Sequence, residues 1–135
     1  DTNVLSELLR ARPEPAVAAW FSAQQPSLLY VSAVTQAEMM LGAGLMPEGR
    51  RRRALEQALQ AMFDEDFSQR ILPFDSAAVP AYVDIVRTRR GAGRPISQFD
   101  AQIAAIAVSR RARIATRNIG DFEGCGLEVV NPWPL

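Results

Sequence analysis

LLYVSAVTQAEMMLGAGL, residues 28–45, changes periodicity partway along. Leu28–Ser32 is a short apolar run of strand-forming residues. From Thr35 onward the apolar positions recur at helical spacing, and Thr35-x-x-Glu38 makes a capping box with Thr35 as the expected cap. A strand that leads straight into a helix is the unit of a parallel sheet, because parallel neighbours need a crossover connection. The alternation recurs. RILPF (70–74), RIATR (113–117) and LEVV (127–130) read as further short strands. Helical spacing runs through VLSELLR (4–10), PAVAAWFSA (15–23), RRRALEQALQAMF (51–63), SAAVPAYVDIVRTRR (76–90) and residues 98–110. Pro80 is expected in the first turn of its helix, where a missing amide costs little. The expected fold is therefore an α/β three-layer sandwich, a parallel sheet covered on both faces, with residues 1–135 as a single domain. Helical spacing follows Asp1-Thr2-Asn3 at once, so a first strand preceding Asp1 is expected to be missing from the sequence as given.

Composition limits the chemistry. The 15 acidic and 15 basic residues cancel, so attraction to a polyanion would have to come from a local patch. All 15 basic residues are arginines, and there is no histidine or lysine. That rules out Ser-His-Asp and Cys-His triads, HExxH zinc sites, Walker A loops and Schiff bases. Carboxylates, amides, hydroxyls, arginines or a bound metal remain, and hard oxygen ligands suit Mg²⁺ or Mn²⁺. The single cysteine, Cys125, cannot form an internal disulfide, which fits a cytoplasmic location. No apolar run approaches the ~18 residues of a membrane span.

In open parallel sheets, ligands bind beyond the carboxyl ends of the strands. Four acids fall at such places: Asp1 at the head of the first helix, Glu38 after LLYVS, Asp100 in RPISQFDAQIAAIA (94–107), and Asp121, with Asn118, after RIATR. Singly, each has a plainer reading. Thr35-x-x-Glu38 and Ser97-x-x-Asp100 are capping boxes, Asp121 suits a turn, and Asn118 suits a cap or a left-handed turn. Together they pose an electrostatic conflict. Two carboxylates ~4 Å apart repel by about 4 kcal/mol at an effective dielectric near 20, and a divalent cation removes that repulsion. Glu56, Asp64, Glu65, Asp66 and Asp84 read as solvated surface. The apolar positions Leu8, Leu9, Met39, Met40 and Leu45 read as core.

DTNVLSELLR, VSAVTQAEMMLGAGLMPEGRRRR, RILPFDSAAVPAY, GRPISQFDAQIAAIA and ATRNIGDFEGCGLEVVNPW together resemble the PIN domain family, in particular VapC-type toxins of the FitB-like branch. The resemblance covers almost the whole chain. It implies a five-stranded parallel sheet and a Mg²⁺- or Mn²⁺-dependent endoribonuclease that leaves a 3′-hydroxyl and a 5′-phosphate. It also implies a homodimer and a VapB-type antitoxin, through which any DNA contact would be made. The implied metal ligands are Asp1, Glu38 and Asp100, with Asn118 or Asp121 completing the set. Thr2, Asn3 and Thr116 match positions that would hold the acids or the metal water by hydrogen bonds. Arg87, Arg89, Arg90 and Arg94 flank the loop before Asp100 and are candidate RNA contacts, whereas Arg50–Arg53 read as a solvated helix start. The alternative is a catalytically inactive PIN-like module that binds RNA or a protein. A receiver domain or a haloacid-dehalogenase-type phosphatase would need a lysine the chain lacks.

Overall fold

The computed structural model describes residues 1–135. In chain order the elements are α1 (Thr2–Leu8), α2 (Pro15–Ser22), β1 (Val31–Ser32), α3 (Ala33–Gly44), α4 (Arg50–Ala61), β2 (Ile71–Leu72), α5 (Val79–Gly91), α6 (Gln98–Ser109), β3 (Ile114–Ala115) and β4 (Val129–Val130). Pro80 sits in the first turn of α5, as its fixed φ favours. The cap of α3 is Ser32 rather than Thr35: Ser32 Oγ accepts from the Thr35 amide at 3.0 Å. A π-helical turn, Met62–Asp66, continues α4. Leu59, Phe63 and Phe67 are spaced by four, and one wider turn keeps all three on the buried side.

The strands pair in parallel, β1 with β2 (Val31 opposite Ile71) and β3 with β4 (Ile114 opposite Val129). One continuous five-stranded sheet is not what the structure contains. Two separate two-stranded pairs flank an apolar cleft of about 400 Å³, lined by residues that include Leu5, Phe21, Val31, Ile106 and Ile114. Each inner strand is hydrogen-bonded on one side only, so pairing stops after two residues, as expected of marginal two-stranded ribbons.

Burial divides into two cores. One surrounds α6, where Ala101, Ile103, Ala104, Ala105, Ile106 and Ala107 are all buried; its alanines let α3 and α5 approach closely, and Val34, Ile85 and Phe122 fill the remainder. The other packs Leu5, Val31, Met39, Leu59, Phe63 and Phe67 between α1, α3 and α4. Fully burying Phe63 or Phe122 stabilises the fold by roughly 1.5–3 kcal/mol each. Leu45 is not core: it is 75% exposed, as Leu9 is in part. No helix is long and apolar enough to cross a membrane.

Candidate active site

β1 ends at Ser32, and the cap it supplies turns the chain into α3, setting Thr35 and Glu38 about one helical turn apart. Thr35 is buried, and its hydroxyl lies 3.2 Å from that of Thr2. Thr2 Oγ1 is also 3.1 Å from Glu38 Oε1. An ionised carboxylate can only accept, so the single Thr2 proton serves Glu38. The Thr2 amide donates to Asp1 Oδ1 at 2.7 Å. One threonine thus joins two carboxylates from segments far apart in sequence.

Thr116, just past β3, anchors the same group from the other side. Its fully buried hydroxyl donates to Asp1 Oδ2 at 2.8 Å and accepts from Asn3 Nδ2 at 3.1 Å and the Asn118 amide at 3.0 Å. One donor and two acceptors exhaust what a hydroxyl offers. The Asp1 nitrogen donates to the Ala115 carbonyl at 2.9 Å, which lays this end of the chain alongside β3.

Asp100 lies in the first turn of α6, half-buried, and Ser97 Oγ accepts from its amide at 3.2 Å. The capping box is thus closed from the Ser97 side. Burial pushes the Asp100 carboxyl above the usual carboxylate range; the Ser97 hydroxyl draws it back, the charge of Asp121 raises it and the Arg89 guanidinium lowers it. Asp121 is exposed on a 3₁₀ turn, Ile119–Phe122, that begins after Asn118. The Asp121 amide donates to the Asn118 carbonyl at 3.1 Å.

The sequence-derived acids therefore stand as two pairs, Asp1 with Glu38 and Asp100 with Asp121, with the Thr116–Asn118 link between the Asp1 side and the Asp121 turn. No three acidic side chains stand close enough to hold one ion between them. Thr35, expected only as a cap, instead joins the buried hydroxyl cluster. Arg89 is not a surface arginine available to RNA: it is 6% exposed and turned inward. Arg87 and Arg90 are exposed, and Arg94 pairs with Glu123 at 2.7 Å on the surface. Arg50, Arg51 and Arg53 are exposed at the start of α4, while Arg52 pairs with Glu56. Cys125 is buried, which pushes its thiol pKa up and leaves it unreactive.

The PIN domain profile matches residues 1–123. The chain is 41% identical to the VapC ribonuclease Y4jK of Sinorhizobium fredii, over 98% of this chain and 95% of that protein. It is 37% identical to Toxin FitB of Neisseria gonorrhoeae, over 98% and 96%. A solved structure of FitAB bound to the IR36 DNA fragment superposes with a TM-score of 0.94 at 37% identity, covering 100% of this chain and 94% of that one.

Proposed function

The chain belongs to the PIN domain family, and from that premise we propose that it is the toxin of a type II toxin–antitoxin pair: a Mg²⁺- or Mn²⁺-dependent endoribonuclease that hydrolyses RNA phosphodiester bonds. The observation that carries this reading is the pairing of Asp1 with Glu38 through Thr2, at the point where β1 leads into α3, with Asp100 opening α6. Relatives named as a VapC ribonuclease and as Toxin FitB support both the activity and the toxin role.

The donor set suits a hard cation, since it holds carboxylate and hydroxyl oxygens and neither imidazole nor thiolate. Each Asp1 oxygen accepts one bond and keeps a lone pair, and Glu38 Oε2 is not used by the hydroxyl network. Asp1, Glu38 and Asp100 are the proposed ligands, with Asn118 or Asp121 completing the set; the separation into two acid pairs favours contacts made partly through water. When bound, a divalent cation supplies a water of lowered pKa and positive charge beside the phosphoryl oxygens. Thr2 and Thr116 hold Asp1 and Glu38 in fixed rotamers. Arg87 and Arg90 at the end of α5, and Arg94 in the loop before Asp100, attract the phosphate backbone. In-line attack on phosphorus then needs no side-chain nucleophile.

The partners follow from the same reading: a VapB- or FitA-type antitoxin, DNA reached through that antitoxin, and a second copy in a homodimer, in the cytoplasm. The FitAB complex on DNA supports the first two. We further read residues 1–135 as one domain, with the two parallel strand pairs that flank the apolar cleft belonging to one layer. Asp100→Asn is expected to lower RNA cleavage by more than about 100-fold, beyond the range of a residue that acts only through a ligand, with an unchanged circular dichroism spectrum. Undiminished Mn²⁺-dependent cleavage by that variant would remove Asp100 from the site, whereas RNA binding without Mn²⁺-dependent cleavage by the wild-type chain would put the binding-module reading in its place.

A further inference from the structure

Arg89 ends a buried row that begins at Ala78, the residue before α5, and runs along that helix: Ala78, Ile85 and Arg89 are all below one-tenth exposed. Its neighbourhood is unusual for a buried charge, which as a rule is paired with a carboxylate. The hydrogen-bond partners here are carbonyls. Nε donates to the Arg94 carbonyl at 2.6 Å, and Nη1 donates to the carbonyls of Asp121 and Glu123, both at 2.9 Å. The Arg94 amide returns a bond to the Arg89 carbonyl at 2.9 Å, which closes the turn after α5. The Glu123 carboxylate is engaged by Arg94. The guanidinium also works against burial at the Asp100 carboxyl on α6 and at the Cys125 thiol, which burial pushes up and Arg89 draws back.

Two segments that carry acids of the site therefore meet on one side chain. The Arg94 carbonyl belongs to the loop leading to Ser97 and Asp100, and the Asp121 and Glu123 carbonyls belong to the turn bearing Asp121. A planar fork with donors in fixed directions can serve three carbonyls at once; an ammonium on a flexible stem lacks that geometry.

We propose that Arg89 is a positioning residue of the acidic site: its guanidinium locks the Asp121 turn onto the loop that leads to Asp100, and thereby sets the two carboxylates relative to each other. The proposal rests on the metal-dependent reading above, and its positive charge behind the pair also offsets part of their mutual repulsion. Its role is not substrate contact, since the side chain is enclosed.

The test uses Arg89→Lys, which keeps the charge, and Arg89→Gln, which keeps polarity; if the glutamine variant fails to fold, the lysine variant decides. Hydrogen exchange read by mass spectrometry and Mn²⁺ titration by calorimetry are compared with the wild-type chain, with Asp100→Asn alongside. The folded variants should exchange faster over residues 92–97 and 118–124 while residues 103–107 stay protected, and should bind Mn²⁺ about 10-fold more weakly or worse. Wild-type exchange in both segments overturns the proposal. Where Asp100→Asn does weaken Mn²⁺ binding, faster exchange with wild-type Mn²⁺ affinity in the Arg89 variants also overturns it, because Arg89 would then serve the fold alone. If Asp100→Asn leaves Mn²⁺ binding unchanged, the metal reading itself falls, and exchange over 118–124 judges the clamp separately: faster supports it, unchanged sinks it.

Discussion

The two acid pairs are built differently. Asp1 and Glu38 are held through their carboxylates, by Thr2 and by the fully buried Thr116, so that the side chains themselves are fixed. Asp100 and Asp121 are held through their backbones, by a helix cap and by the Arg89 fork on carbonyls. The first arrangement sets oxygen positions directly; the second sets only where the chain runs and leaves the carboxylate of Asp121 in solvent. A site assembled this way has one half ready for a ligand and one half that completes around it.

The comparison breaks most severely at Thr116. Thr116→Val keeps the shape but strands Asn3 Nδ2 and the Asn118 amide and frees Asp1 Oδ2. We expect a loss of about 1–3 kcal/mol in unfolding free energy, measured by urea denaturation, and weaker Mn²⁺ binding by about 10–100-fold. Unchanged values for both would mean that the first half is not preorganised by its hydroxyls.

A smaller effect sharpens the second half. The Asp100 carboxyl is raised above its ordinary value of 3.8, chiefly by burial, so the folded state takes up its proton more readily than the unfolded chain does. Stability contributed by this group is therefore full below the unfolded pKa and is lost as pH rises through the folded one. Asp100→Asn should match the wild-type melting temperature below about pH 4 and exceed it slightly at neutral pH without added metal. A wild-type advantage at neutral pH in thermal melts would reverse that sign.

The sequence shows the helices clearly, because their apolar spacing matches the faces that become buried, from Met39 and Ala43 on α3 to Ile103 and Ala107 on α6. Strand positions were equally legible, but not their extent. LLYVS reads as five buried residues, yet Leu28 and Tyr30 are exposed and only Val31 and Ser32 pair, since hydrogen bonding along β1 exists on one side only. Thr35 misled because T-x-x-E spells a capping box whether or not Thr35 is the cap; Ser32, three residues earlier, takes that role and frees the Thr35 hydroxyl to turn inward. Arg89 misled because a long charged side chain reads as surface. Its signal was positional: it continues the spacing of Ala78, Tyr82 and Ile85 along the buried face of α5. That the four acids sit where strands or turns lead into helices was legible. How each is held depends on hydroxyls and carbonyls that spacing does not reveal.

Under the proposed function, Glu38 and Asp100, one from each half, hold the same ion. Calorimetric Mn²⁺ titration of Glu38→Gln and Asp100→Asn beside the wild-type chain tests it most directly. Either substitution alone is expected to weaken the same binding event by more than about 10-fold. Wild-type Mn²⁺ affinity in either variant, with the fold intact, would contradict it.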